Sequence, residues 1–178
     1  MNDTYEKDYI VQAIILQHPE FDRVHKGSVN TIRITTLLMP ERVYVLSSVL
    51  RMGVNASRID NATAGGITAG INADGSLKEY ATTYYSGEKL YKHPQGLVFD
   101  GFDVPSYDKA LILAILGASL IPHFRLVSWD IAIDVNGDAV LIESNMRKGS
   151  INFHQFNNGP LFGDLTERVL NEVFQNRE

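Results

Sequence analysis

The chain has 178 residues, 44% hydrophobic and 21% charged, which is the composition of one ordinary globular domain. Its formal net charge of −5 and the lack of any basic stripe argue against a nucleic-acid partner. Without cysteine it forms neither disulfides nor thiolate metal sites, and it is compatible with a reducing cytosol.

In chain order, the polar Met1 to Asp8 lacks the apolar run of a secretory leader. Tyr9 to Leu16 reads as a buried strand that ends at Gln17-His18-Pro19. Residues 29–38 and 42–52 are β-rich and flank Met39-Pro40-Glu41, which predicts a hairpin. A second pair, 65–72 and 77–85, flanks Ala73-Asp74-Gly75-Ser76, again turn chemistry. The polar tract 86–103 reads as a long loop. Pro105 suits the first turn of the strongest helix, because its absent N–H needs no partner there. Leu111, Ala114, Ile115, Ala118 and Ile121 form one apolar stripe, widened by Leu113, Leu116 and Leu120. That predicts a helix buried on most sides and ending at Pro122. The apolar stretch 110–121 is too short to span a bilayer, so no membrane insertion is expected.

A hairpin follows, with Asn136-Gly137 as a two-residue type I′ turn. That turn pairs 133 with 140, 131 with 142 and Asp130 with Glu143, and it places Asn145 on the same face as the two acids. Trp129, Ile131, Ile133, Val140 and Ile142 face the core. Like charges directly opposite on a sheet repel, and a cation between them relieves the repulsion. Two carboxylates and an amide suit Mg²⁺, although a solvated acidic pair on the wet face of a sheet is the plain alternative. A closing helix starts at Gly163-Asp164 with Asp164-x-x-Glu167 as a capping box and Leu165, Val169, Val173 and Phe174 on its inner face.

Three further constellations carry polar chemistry. Gly65-Gly66, after Asn61, permits a backbone nest for an anion, or is an ordinary turn. Arg33 alternates with Ile32 and Ile34 and points to solvent or to a cleft where it clamps an anion. His93 and His123 read as loop residues without a ligand role. The sequence holds no GxxxxGK[ST] loop and no GxGxxG. The whole predicts a single α+β domain over 1–178, an antiparallel sheet with a buried helix and a C-terminal helix.

In order, Tyr9-Ile10-Val11-Gln12, Gln17-His18-Pro19, Ser28 to Arg33, Leu50-Arg51-Met52-Gly53, Asp60-Asn61 with Gly65-Gly66-Ile67, His93-Pro94 with Gly96, Trp129 to Ala132 and Ile142 to Asn145 resemble the ATP-grasp superfamily, most closely its sugar-transfer-associated branch. The resemblance implies that Asp130, Glu143 and Asn145 hold Mg²⁺ bridging the phosphates of ATP. It implies that Gln12 and Ala13 lie on the hinge strand against adenine, and that Arg33, Arg51, Asn61, Gly65 and Gly66 approach phosphates and an acceptor carboxylate. The implied activity is carboxylate–amine ligation through an acylphosphate, in cell-surface polysaccharide or sugar-conjugate synthesis, in the cytoplasm. The N-terminal ATP-grasp subdomain is absent from the match. The chain is therefore expected to be the C-terminal part, completed by that subdomain or by a homo-oligomer. The alternative is a catalytically inactive nucleotide- or partner-binding module.

Overall fold

The computed structural model describes residues 12–55, 65–147 and 149–175. One antiparallel sheet organises them, with β1 Thr31–Leu38, β2 Val43–Met52, β3 Ile67–Ile71, β4 Leu77–Thr83, β5 Lys89–Leu90, β6 Leu126–Ile133 and β7 Ala139–Asn145. Their order across the sheet is β5-β4-β3-β2-β1-β6-β7. The helices are α1 Pro19–Val24, α2 Tyr107–Leu120, α3 Asn152–Asn158 and α4 Thr166–Gln175. This is the expected α+β arrangement.

Alternation along the strands divides the sheet into two unlike faces. Ile32 and Ile34 on β1, Leu50 and Met52 on β2, and Trp129, Ile131 and Ile133 on β6 are buried in a core shared with α2. The intervening residues Arg33, Thr35, Arg51, Ser128 and Asp130 are also buried, which makes the other face an enclosed polar layer. α3 lies over that layer against β2, β3 and β4.

Helix α2 meets the sheet through Tyr107, Ala110, Ala114 and Ala118. The three alanines recur at helical spacing and let the backbone come close. Ile112, Ile115, Leu116 and Leu120 on its far side are exposed, so the helix is buried along one face rather than on most sides. The sheet supplies one contact layer, and no described element lies above the other side of α2. Pro105 is not in the first turn either. It precedes Ser106, whose φ of 50° is left-handed and whose hydroxyl donates to Gly137 O at 2.8 Å, tying the helix start to the β6–β7 tip.

Three other expectations are corrected. Of the strand read over 9–16, residues 9–11 lie outside the described residues and 12–16 are irregular, with Ile14 89% and Leu16 68% exposed. A strand needs a ladder partner as well as β-prone residues, and among the described residues 12–16 pair with no strand, the first bridge being Gln17 to Asp134 just beyond them. The closing helix begins at Thr166, after a 3-10 turn Gly163–Leu165 that absorbs Asp164. Its Val173 and Phe174 are exposed, and its ion pairs Arg168–Glu41 and Arg125–Glu172 hold it to the rest of the chain.

The third correction concerns the β6–β7 hairpin. Asn136 has no positive φ, so the turn is not type I′. Asp134 O accepts from Gly137 N–H (2.9 Å), and Asp134 Oδ1 accepts from the N–H groups of Asn136 and Asp138, stabilising a longer tip. Pairing therefore starts as Ile133↔Ala139 and Ile131↔Leu141, one residue off. A bulge at Ile142 then restores Asp130↔Glu143 and Ser128↔Asn145. Ile142 leaves the core side and is exposed.

Gly117 tests the α2 packing. Alanine normally gains about 1 kcal/mol over glycine inside a helix, but a Cβ here would lie 2.8 Å from the Trp129 ring. Overpacking of this kind costs about 1–3 kcal/mol. Gly117→Ala is thus expected to lower the denaturant midpoint; an increase would show that Trp129 has room to move.

Candidate functional site

The polar face centres on Asp130, which is 2% exposed. Strand β1 pairs Arg33 with Asp130, and β7 pairs Glu143 with Asp130 from the other side. Arg33 donates from Nε to Asp130 Oδ1 and from Nη2 to Oδ2, a bidentate fork. Arg51, one strand further along, donates from Nη1 to Oδ2 at 2.8 Å. Arg33 Nη2 also lies 3.6 Å from Glu143 Oε1, and the Phe153 ring of α3 stacks 5.5 Å from the Arg33 guanidinium. Burial alone would raise the Asp130 carboxyl, but the hydrogen bonds and charges of Arg33 and Arg51 outweigh it and hold the group below its ordinary value.

The acid pair stands where the sequence places it, and an arginine that the sequence left between solvent and a cleft lies beside both acids. Asp130 and Glu143 do stand opposite each other, and the Arg33 guanidinium, on the strand next to β6 but 97 residues from Asp130 in sequence, balances them. Arg33 faces a buried layer and not solvent.

The remaining expected residues spread out from this centre. The Glu143 side chain is 57% exposed and accepts from Asn145 Nδ2 at 3.2 Å. Gly65 and Gly66 precede β3 at the end where Thr68 pairs with Arg51. Gly65 has a φ of +95°, while Asn61 lies outside the described residues. Gln12 and Ala13 sit in the exposed irregular lead to Gln17, apart from any strand.

Mg²⁺ commonly takes one or two protein carboxylates and fills its shell with water and phosphate oxygens. The accessible Glu143 carboxylate fits that requirement, and Asn145, which turns its Nδ2 toward Glu143, would offer its carbonyl oxygen with the amide turned over. Asp130 is committed to three arginine donors and fits less well. Among the described residues no group of three or more His, Cys, Asp or Glu side chains converges as a metal cage.

The sequence reading missed α3 and what it brings. His154 is buried between Ser47 Oγ (2.7 Å to Nδ1) and Thr35 Oγ1 (3.1 Å to Nε2). Burial, reinforced by the Arg33 and Arg51 charges and opposed by Asp130, pushes its pKa down to about 3. Asn157 donates to Thr68 Oγ1 and Thr82 Oγ1, and Lys78 Nζ donates to the Asn157 carbonyl. The signal was present: Thr31, Arg33 and Thr35, Ser47 and Arg51, Thr68, Thr82, and Ser128 and Asp130 place polar residues at even spacing on five strands. His93, read as a loop residue, is buried and bonded through Nε2 to Gly53 O at 2.9 Å.

A family model described as sugar-transfer associated ATP-grasp matches residues 2–171. No curated protein and no solved structure matches the chain.

Removing the charge of Asp130 breaks a buried carboxylate–arginine cluster, so Asp130→Asn is expected to cost about 3–5 kcal/mol in chemical denaturation. The histidines set a separate acid limit. The unfolded chain binds a proton at His154 below about pH 6.5, whereas the fold resists doing so until about 3. Stability in that window therefore falls as pH falls, by up to about 1.4 kcal/mol per pH unit for such a group. His93, also lowered by burial, adds to the slope. Denaturation curves from pH 7 to 4 should show it, and His154→Asn should flatten it.

Proposed function

The chain belongs to the sugar-transfer associated ATP-grasp family, and from that premise we propose that it uses ATP and Mg²⁺ to activate a carboxylate as an acylphosphate for attack by an amine. Membership makes it an ATP-dependent, ligase-type domain. The finer reading rests on one observation: an accessible Glu143–Asn145 pair stands directly beside two arginines buried around one carboxylate.

In this reading Glu143 and Asn145 hold Mg²⁺ through side-chain oxygens. Asp130, the third ligand read from the sequence, mainly aims Arg33 and Arg51. The metal supplies neutralisation of the charge that develops on the transferring phosphoryl oxygens. Arg33, held by its fork to Asp130 and the ring of Phe153, presents a fixed cation at the edge of the Glu143 site. The acceptor carboxylate oxygen bonds to the γ-phosphorus as the bridging bond to ADP breaks. The amine nitrogen then bonds to the acyl carbon, loses a proton, and phosphate leaves. No side-chain nucleophile is needed. A second lobe completing the adenine site, and a place in polysaccharide or sugar-conjugate assembly, belong to the same proposal.

The closed Asp130–arginine cluster also favours a second reading, a nucleotide-binding module without turnover. Calorimetric titration tests the shared premise. Mg-ATP and a non-hydrolysable analogue should both bind, and Glu143→Gln should weaken each at least tenfold while leaving thermal stability unchanged. Equal binding by Glu143→Gln would overturn the metal assignment. Phosphate release with bound nucleotide and added carboxylate would separate ligase from module.

A further inference from the structure

Next to the acid–arginine centre, where Ser128 pairs with Asn145, the polar face opens into a pocket of about 170 Å³. That is room for roughly six waters at about 30 Å³ each, so it suits one small organic group. Ser128 and Thr35 form part of the lining, Leu126 and Ile151 add apolar surface, and Asn145 and the exposed Arg147 stand beside them. Two residues along each strand separate Ser128 and Asn145 from Asp130 and Glu143, a distance of about 7 Å.

The pocket is served by a chain of hydrogen bonds with one satisfying direction. Asn158 Nδ2 donates to the carbonyl oxygen of Ser48 (3.0 Å), an acceptor only, which fixes that amide nitrogen as a donor. It also donates to Ser47 Oγ at 2.8 Å. The Ser47 hydrogen then has one described acceptor, His154 Nδ1 at 2.7 Å. A neutral imidazole with an acceptor at Nδ1 carries its proton at Nε2, which donates to Thr35 Oγ1. Thr35 in turn donates to Ser128 Oγ at 2.9 Å. Among the described residues no acceptor follows Ser128, so its hydrogen ends the chain and is left for whatever occupies the pocket. The loop over this hydroxyl is held close by Gly149, where a Cβ would lie 2.8 Å from Ser128 Oγ.

We infer that this pocket is a subsite for a small carboxylic acid that carries an oxygen acceptor on its stem, such as a hydroxy acid, with Ser128 donating to that oxygen and Arg147 facing the carboxylate. The wall residues Leu126 and Ile151 take the stem. That this carboxylate is the one activated by ATP rests on the ligase reading above; occupation of the pocket does not.

The test uses the full chain with lactate and propionate as probes, followed by NMR shifts of the Ile151 methyl and Gly149 amide signals. Lactate should bind at least tenfold tighter than propionate, because a buried donor left unpaired penalises the analogue that lacks the hydroxyl. Ser128→Ala should erase that preference. Ile151→Trp, at a half-exposed wall position that leaves the hydrogen-bond chain intact, should weaken both acids. Equal affinity for the two acids, or lactate binding untouched by Ile151→Trp, overturns the subsite. Lactate discrimination without any Mg-ATP binding sinks the ligase reading and keeps the pocket. Mg-ATP binding without any response to lactate does the reverse.

Discussion

One carboxylate shared by two guanidinium groups governs this fold. Asp130 ties β6 to β1 through Arg33 and to β2 through Arg51, so three neighbouring strands are locked on the face that would otherwise have no reason to be dry. An apolar layer would hold such strands at least as firmly, because the cost of desolvating ions is large. The arrangement therefore makes sense as positioning. It keeps two flexible cationic side chains in one orientation next to an accessible acid, and does so before any ligand arrives.

The rest of the polar face extends the same logic. Thr35, Ser47, Ser128 and His154 form a connected series, and Asn157 closes another with Thr68 and Thr82. Buried polar groups of this kind are tolerable only when bonded. α3 supplies partners for both series, His154 to one and Asn157 to the other, from its place over β2–β4. The opposite face obeys a simpler rule: alanines and a glycine on α2 bring a helix backbone down onto Trp129 and the branched residues of β1 and β6.

Most strands were legible because period-two runs ended at clear turn residues, as in Leu77 to Thr83 after Asp74-Gly75. The pairing of Asp130 with Glu143 came out as read because the one-residue shift at the tip and the bulge at Ile142 cancel. Arg33 was not legible, because a lone arginine in an apolar strand looks the same whether it meets water or a carboxylate 97 residues away. α3 escaped because Asn152-Phe153-His154-Gln155-Phe156-Asn157-Asn158 has poor helix formers and no clean apolar stripe. Its helicity comes from docking onto β2–β4. The strand read over 9–16 is irregular in its described part, 12–16, because apolar composition favours burial and says nothing about a neighbour to supply it.

The β6–β7 hairpin shows how such a centre survives change. Its tip sets one alignment and the extra residue at Ile142 sets another, so the functional alignment exists only as the combination of the two. Adding or deleting a residue at the tip alone would turn Glu143 and Asn145 to the apolar side. Drift in loop length is thus coupled to drift at the kink, and the two irregularities form a single heritable unit. Lineages in which one varies without the other would lose the acidic face while still looking like good hairpins.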